Sequence, residues 1–336
     1  MLAWKAADPV IYRRPMTAPF PSPDQIATAF RLALDAADRF VGATAPNPPV
    51  GCAVLAADGS VLAIAAHEAA GQPHAEAAAL AACRAAGRLD AVHTVVVTLE
   101  PCNHHGATPP CAEAILASPA RAVWYGAGDP NPTAAGGAAR LAAAGLSIQP
   151  IAALAHQDAA DLSARAARLL APFVTRLTKG RPWLTIKQAL DVDGSMIPPV
   201  GAKTFTSEAS LTLAHDLRRR ADAVITGSGT ILADGPLFTV RRVPDPRRKP
   251  RRLAILDRRG RTPSAYLDAA RARGFVPSLH DDIPQALAAL AEDGVMEAQV
   301  ECGPTLLAAF LEAGLWDEQI IIRQGPDGDA VTRVLA

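Results

Sequence analysis

The chain of 336 residues is poor in aromatic side chains, which make up 4% of the sequence. Proteins that bind single-stranded nucleic acid stack bases on aromatic rings, so this scarcity counts against that class. The formal net charge is zero, with 33 basic and 33 acidic residues, and such a balance is not typical of a surface that follows a phosphate backbone. We therefore expect no nucleic-acid partner.

Long apolar runs and a cysteine framework are also missing. No stretch of about 18 apolar residues occurs, so no membrane span is expected. Residues 1–21 contain four prolines and no continuous apolar segment of a secretory signal, which predicts a poorly ordered leader. Five cysteines are a sparse and odd set for a disulfide framework, which favours a reducing cytoplasm as the location.

Strands alternate with helices along the chain, which is typical of α/β domains. At about 150 residues per domain, the length predicts two of them. We place one domain over 22–152, a connector over 153–180 and a second domain over 181–336. Strands are predicted at 50–56, 61–66, 94–99, 122–125, 146–151, 184–190, 223–226, 253–256, 298–301 and 319–322. Helices are predicted from a Ser22 cap and at 74–86, 109–116, 138–144, 155–170, 207–220, 283–290 and 305–313.

The strongest chemical motif combines His74 and Glu76 with Cys102 and Cys111. One imidazole and two thiolates are good ligands for Zn²⁺, and three protein ligands leave the fourth position open, as catalytic zinc sites do. A carboxylate two residues from the ligand histidine can move protons, and the pattern matches the zinc-deaminase motif H-x-E followed by P-C. The sequence predicts Cys111 at a helix N-terminus, which favours the thiolate.

Each part of this motif alone has a plainer explanation. An H-x-E in an Ala-rich helix is often surface chemistry, and intracellular cysteines are usually core residues. The combination favours zinc, whereas Cys52, Cys83 and Cys302 lack partners in sequence and are predicted as small core residues. For His67, His104 and His105, a substrate contact and an ordinary loop role both remain open.

A basic segment interrupts the even distribution of charge. Residues 241–252 read RRVPDPRRKPRR, with seven basic residues and one aspartate. One explanation is a solvated Pro-rich loop, as charge runs usually are. The other is attraction of a phosphorylated ligand.

The first half resembles the deaminase part of the bifunctional riboflavin-biosynthesis deaminase/reductase family. The resemblance rests on TAPNPPVG at 44–51, HAE at 74–76, TLEPCNHHGATPPC at 98–111 and DPNP at 129–132. It implies a cytidine-deaminase-like domain that removes the 2-amino group from a phosphorylated diaminopyrimidinone by hydrolysis. Glu76 would protonate the ring nitrogen and the leaving ammonia. The amide of Asn47 would contact the substrate, although a turn role remains open.

The second half resembles the reductase part of the same family, which is similar in fold to dihydrofolate reductase. KQALDVDG at 187–194, the block 217–241 and ECGPTL at 301–306 carry this resemblance. It implies NADPH-dependent reduction of the ribosyl group to ribityl. By position, the substrate would contact Arg218, Arg241 and Glu301. The cofactor would lie on Thr230, Asp234, Gly303, Pro304 and Thr305.

Several positions depart from the family pattern. The motif S-L-D-G-R reads DVDGS at 191–195, the usual serine and tryptophan are not matched in 201–205, and Cys302 replaces a glycine. Family members normally continue for several strands beyond the end of this sequence, so we expect a second domain that is shortened or completed by another chain. A monofunctional zinc deaminase with a degenerate reductase-like domain is therefore the alternative, with a nucleic-acid-binding protein a distant third. We also expect a homo-oligomer.

Overall fold

A computed structural model describes residues 20–104, 109–197, 204–326 and 328–336. The first 19 residues of the predicted leader lie outside these ranges, as do His105 and most of the 201–205 segment. The described residues form one sheet of five strands and one of seven. Each sheet is covered by helices, as the predicted alternation of strands and helices requires.

The first sheet has the order β2-β1-β3-β4-β5. Its strands β1 to β3 pair antiparallel, and β3 to β5 pair parallel. Every residue of the central strand β3 is buried, as the β-branched run of this strand predicts. The strands are β1 (Gly51–Leu55), β2 (Val61–Ala66), β3 (Thr94–Leu99), β4 (Ala122–Ala127) and β5 (Ser147–Pro150). The helices are α1 (Pro23–Asp38), α2 (Ala75–Ala85), α3 (Cys111–Leu116) and α4 (Gly137–Ala143).

The second sheet has the order β12-β11-β6-β10-β7-β8-β9, and only its β11–β12 pair is antiparallel. Its strands are β6 (Trp183–Leu190), β7 (Ala223–Gly227), β8 (Arg251–Leu256), β9 (Phe275–His280), β10 (Glu297–Val300), β11 (Glu318–Arg323) and β12 (Ala330–Leu335). Its helices are α6 (Glu208–Arg220), α7 (Ser228–Asp234), α8 (Ser264–Ala272), α9 (Ile283–Glu292) and α10 (Pro304–Glu312).

Helix α5 (Ala159–Lys179) joins the two sheets. Its residues Leu162, Ala166 and Leu169 pack in the first core. On the other side, Arg168 pairs with Glu318 of β11 at 2.5 Å. The helix is longer than the predicted 155–170, because it continues through Pro172 and ends at Gly180, whose φ of 65° is left-handed.

The start of α1 confirms the predicted Ser22 cap. Ser22 Oγ accepts from the Gln25 N–H, and the Gln25 side chain accepts from the Ser22 N–H, forming a capping box. The sequence did not predict α7, α8, β9 or β12. The helices α7 and α8 have seven and nine residues, and α7 contains Gly229, which lowers helix propensity.

Two arginines of the basic segment 241–252 make buried structural contacts. This role differs from both sequence explanations, a solvated loop and a site for a phosphorylated ligand. Arg247 pairs with the buried Asp222 at 2.8 Å. Arg251 donates to carbonyls at the end of α6 and pairs with Asp245 at 2.7 Å. Cationic groups there complement the negative end of the helix dipole.

The cysteines outside the motif are found largely as predicted. Cys52 and Cys83 are completely buried, whereas Cys302 is partly exposed at the edge of the second core. In the described part of the chain, no helix combines the length and apolar character needed to cross a bilayer.

Candidate active sites

The candidate metal ligands lie at the starts of two helices. His74 immediately precedes α2, and Cys111 is the first residue of α3. Cys102 lies in the loop that follows β3, where its sulfur accepts from the Cys111 N–H at 3.3 Å. The fold therefore brings together three side chains that are up to 37 positions apart in sequence.

The spacing of these donor atoms fits zinc. His74 Nδ1 lies 3.6 Å from Cys102 Sγ and 3.3 Å from Cys111 Sγ, and all three donor atoms lie within 4.8 Å of one another. Tetrahedral Zn²⁺ with bonds of about 2.3 Å to sulfur and about 2.0 Å to nitrogen would separate these donors by about 3.5 Å. Both the distances and the types of donor suit the ion.

The two sulfurs interact strongly with each other. Hydrogen bonding with the Cys111 thiol, supported by His74, lowers the pKa of Cys102 to about 4. The same hydrogen bond, together with burial, raises the pKa of Cys111. A proton shared between two thiol ligands is one that a divalent cation displaces, because metal binding releases protons from its ligands.

Glu76 is placed for proton transfer in the same cavity. It is the second residue of α2 and is 3% exposed. Burial raises the pKa of its carboxyl group to about 7. Near neutral pH the group can therefore either hold or release a proton, as an acid–base catalyst must.

Asn47 is oriented by a buried histidine. Its Nδ2 lies 3.2 Å from His67 Nε2, and His67 Nδ1 lies 3.1 Å from the carbonyl oxygen of Pro73. Because a carbonyl only accepts, Nδ1 carries the proton and Nε2 accepts from the Asn47 amide. Burial lowers the pKa of His67, in agreement with this neutral form.

These groups surround a cavity of about 280 Å³. Asn47, His74, Glu76 and Cys102 line it, and Cys111 contacts the lining residue His74, with Sγ 3.3 Å from Nδ1. The cavity also includes residues that sequence reasoning missed or left open. These are His67, Glu100, His104, Asp129, Asn131 and Phe173.

Phe173 is the unexpected member of this set. It belongs to α5, and among the described lining residues it is the only one beyond position 134. No motif in the sequence marks it, because an apolar residue in a periodic helix is ordinarily a core residue.

Glu100 holds one wall of the cavity in place. Its carboxylate accepts from the backbone N–H groups of Gly136 and Ala138 at 3.1 and 3.0 Å, and from that of Asp129 at 3.3 Å. The loop that carries Asp129 and Asn131 is thereby fixed beside Cys102. The sequence signal for this role was the glutamate directly before Pro101-Cys102.

The second sheet places predicted substrate residues in direct contact. Arg218 of α6 binds Glu301 through two hydrogen bonds of 2.5 and 2.8 Å. Lys187 of β6 lies 3.4 Å from the same carboxylate, and the Arg218 guanidinium lies 5.9 Å from the ring centre of Phe238. Neither Lys187 nor Phe238 was among the predicted site residues.

Two of the predicted cofactor residues are in direct contact. The Gly303 N–H, at the start of α10, donates to Thr230 Oγ1 of α7 at 3.1 Å. Asp234 is exposed at the end of α7, and Pro304 and Thr305 are exposed in the first turn of α10. Arg241 is exposed, and its N–H donates to His215 Nδ1 at 2.9 Å.

Two family models match the two halves of the chain. The cytidine and deoxycytidylate deaminase zinc-binding region matches residues 23–127, and the RibD C-terminal domain matches residues 182–324. The fold and the two sites therefore define a cytidine-deaminase-like zinc domain followed by a reductase domain of the dihydrofolate-reductase-like type.

Similar proteins extend over most of the chain. It is 37% identical over 292 residues to the riboflavin biosynthesis protein RibD of Mycobacterium tuberculosis, covering 86% of this chain and 82% of that protein. It is 33% identical over 332 residues to RibD of Escherichia coli, covering 89% and 86%. The chain belongs to the RibD family.

Solved structures agree with this assignment. Acinetobacter baumannii RibD, form 1, superposes with a TM-score of 0.74 at 29% identity over 92% of this chain and 90% of that one. The deaminase/reductase of Thermotoga maritima superposes with a TM-score of 0.78 at 28% identity, covering 90% and 87%.

The chain is thus a bifunctional enzyme of riboflavin biosynthesis, with a zinc-dependent deaminase and an NADPH-dependent reductase. The alternative of a monofunctional deaminase with a degenerate second domain is wrong, because the RibD C-terminal domain is present over residues 182–324. The substrate of this enzyme is a small molecule.

Proposed function

We propose that the first domain removes the 2-amino group of 2,5-diamino-6-(5-phosphoribosylamino)pyrimidin-4-one and that the second reduces the ribosyl group of the product to ribityl. The observation that supports the first step best is the grouping of His74, Cys102 and Cys111 with Glu76 around one cavity. The similar Thermotoga maritima protein is a diaminohydroxyphosphoribosylaminopyrimidine deaminase and 5-amino-6-(5-phosphoribosylamino)uracil reductase, which are the same two activities.

In this proposal His74, Cys102 and Cys111 hold Zn²⁺. Zinc in such a site leaves one coordination position to water and lowers the pKa of that water to about 7. Glu76 would take one proton from the attacking water and pass it to the ring nitrogen beside the reacting carbon. It would then take the second proton from the same oxygen and pass it to the amino group, which leaves as ammonia. A carboxyl pKa near 7 suits both directions of transfer.

Asn47 holds the pyrimidine ring through its amide. An amide offers both a donor and an acceptor, which suits a ring that carries amino and carbonyl groups. The contact with His67 fixes which end of the amide is the nitrogen. Rotation of Asn47 is thereby restricted before substrate binds, which reduces the entropy lost on binding.

In the second domain, Arg218, Arg241 and Glu301 contact the substrate. The arginines suit an anionic phosphate group, and the arrangement of Arg218 with Glu301 fixes both side chains in advance. The residues that would hold NADPH are Thr230, Asp234, Gly303, Pro304 and Thr305. The first-turn N–H groups of α10 suit a phosphate of the cofactor, and Thr230 orients the start of that helix.

We also propose that the enzyme forms a homo-oligomer in the cytoplasm. Strand β12 lies at the edge of the second sheet, and all six of its residues are exposed. Val331 and Leu335 are 50% and 59% exposed, and an apolar edge strand of this kind favours pairing with another chain. Light scattering coupled to gel filtration tests this, and a monomer at micromolar concentration would contradict it.

The two reactions are tested by one assay with separate measurements of ammonia release and NADPH oxidation. The Glu76→Gln enzyme should keep its zinc and lose ammonia release by roughly 10²-fold or more, the usual contribution of an acid–base group. When the deaminated substrate is supplied directly, this variant should oxidise NADPH at the wild-type rate. Undiminished ammonia release would exclude the role of Glu76.

A further inference from the structure

The loop Thr44–Pro49, which carries Asn47, lies between the two domains. On one side Asn47 lines the deaminase cavity. On the other side it lines a crevice of about 20 Å³ together with residues of the second domain. These residues are Arg220, Asp222, Met296 and Glu297. The second domain therefore forms the support behind a loop of the deaminase site.

The segment just before this loop is bound by Arg219, the penultimate residue of α6. Its Nη1 donates to the carbonyl oxygens of Asp38, Arg39 and Val41 at 3.1, 3.4 and 3.5 Å. These carbonyls close the C-terminal end of α1, where a cation is favoured by the helix dipole. The Arg219 side chain is 8% exposed, so its contacts are largely shielded from water.

The backbone at Gly42 also approaches the backbone at the end of α6 closely. Its φ is 84°, and a Cβ at this position would lie 2.4 Å from the carbonyl oxygen of Arg219. Only glycine fits both the conformation and the space. Residues 38–42 are therefore held against α6 by hydrogen bonds and by direct backbone packing.

We propose that Arg219 is a positioning residue for the deaminase reaction, acting from the second domain through residues 38–42 on Asn47. This inference rests on the proposed contact of Asn47 with substrate. Thr44 is 2% exposed, and the Asn47 N–H donates to the Thr44 carbonyl at 3.0 Å. Three prolines in 44–49 restrict the backbone further, so a displacement of residues 38–42 is passed on to Asn47.

Arg218, which precedes Arg219 in α6, faces the other proposed active site. Arg218 pairs with Glu301 of the proposed reductase site, while Arg219 binds residues 38–41 just before the loop that carries Asn47. Two successive side chains of α6 thus serve the two active sites. Loss of Arg219 should affect the deaminase alone, as long as α6 keeps its place.

The test uses the full-length zinc-loaded enzyme with Arg219→Leu, Arg219→Lys and Asn47→Ala. We expect Arg219→Leu to lower the deaminase kcat/KM roughly tenfold to a hundredfold, the usual effect of a misplaced contact of about 1 Å. Zinc content and reductase kcat/KM should be unchanged. Arg219→Lys should recover part of the loss, because its ammonium group still donates to carbonyls.

The double variant Asn47→Ala/Arg219→Leu should be no slower than Asn47→Ala, since both changes remove the same contact. The control is Arg165→Leu, which breaks an exposed pair with Asp35 between α5 and α1 and should leave the kinetics unchanged. If Arg219→Leu does not fold, Arg219→Lys and Arg219→Gln provide the same comparison.

The kinetics of these variants distinguish a positioning role of Arg219 from a role in general stability. Wild-type deaminase kinetics in Arg219→Leu, alongside a weakened Asn47→Ala, would overturn the role of Arg219 alone. Fully additive losses in the double variant, or equal losses in both activities, would assign Arg219 to general stability. Unchanged kinetics in Asn47→Ala would overturn the proposed function of Asn47 itself, and this inference with it.

Discussion

Arg218 and Glu301 form a two-pronged ion pair, with Nε to Oε1 at 2.5 Å and Nη2 to Oε2 at 2.8 Å. Both side chains are at least 85% buried, with exposures of 15% and 8%. Burial acts to raise the pKa of Glu301, but Arg218 and Lys187 outweigh it and lower the pKa to about 2. The carboxylate is therefore charged at neutral pH and holds two cations at the proposed reductase site.

Glu301→Gln should reduce NADPH oxidation by roughly 10²-fold or more, because the two cations lose the charge that positions them. Breaking a buried pair also costs about 3–5 kcal/mol of unfolding free energy. Ammonia release in the folded variant, measured in parallel, should stay at the wild-type rate. An unchanged reductase rate would remove Glu301 from the site.

Cys102→Ser and Cys111→Ser should each abolish zinc binding, since a hydroxyl is a much poorer zinc ligand than a thiolate. Metal analysis of the purified wild type should give about one zinc per chain. Cys302→Ser is the matched control, because Cys302 lies outside the three-residue cluster and is partly exposed. Full zinc retention in both ligand variants would refute the site.

Phe173→Ala should raise the KM of the deaminase substrate by roughly tenfold, as expected when one large apolar contact of about 1–2 kcal/mol is lost. Phe173→Leu should recover part of this contact. The control is Leu177→Ala on the same helix, where the side chain is 45% exposed. Equal KM values for wild type and Phe173→Ala would show that the ring does not meet the substrate.

Protonation of His215 should make the folded enzyme less stable in mild acid. Burial, with the nearby cations Arg218, Arg241 and Arg242, lowers the pKa of His215 to about 4. The unfolded chain, with a histidine pKa of about 6.5, binds more protons between these values, so stability is lost as pH falls from about 6.5 to about 4.

His215→Asn keeps an acceptor for the Arg241 N–H and removes this titration. Urea unfolding at pH 7.5 and 5.5 should show a larger loss of unfolding free energy for the wild type than for the variant. Equal losses would mean that His215 does not contribute to the pH dependence.

Arg247→Met should destabilise the enzyme by about 3–5 kcal/mol, since it leaves the buried carboxylate of Asp222 without its cation. Arg248→Met, in the same basic segment but exposed, is the matched control and should change stability by less than about 0.5 kcal/mol. Thermal unfolding of both variants measures the difference. Similar melting temperatures for the two would restore the solvated-loop explanation.

The elements with strong local signals were predictable, and so was the metal cluster. Ser22 and Gln25 predict the start of α1, and the β-branched run of β3 predicts a buried strand. The identities and spacing of His74, Glu76, Cys102 and Cys111 predict zinc-deaminase chemistry, and the three ligand candidates among them do lie together in the fold. The helices α7 and α8 were not predicted, although α3 and α4 are no longer and were; Gly229 lowers the helix propensity of α7.

Other parts of the sites depend on distant neighbours. Phe173 is an ordinary apolar residue in sequence, and only the path of α5 across the first sheet brings it to the cavity. Arg247 and Arg251 look like solvated charges, and only the position of Asp222 and the end of α6 makes them structural.

Two α/β halves, a set of candidate zinc ligands and reductase-like motifs were evident from the order of residues, because they depend on local periodicity and on side-chain chemistry. Only the folded chain shows which side chains share a cavity, and that Arg219 of the second domain binds the C-terminal end of α1 in the first. Those relationships arise from packing between segments up to 181 positions apart, and no local pattern records them.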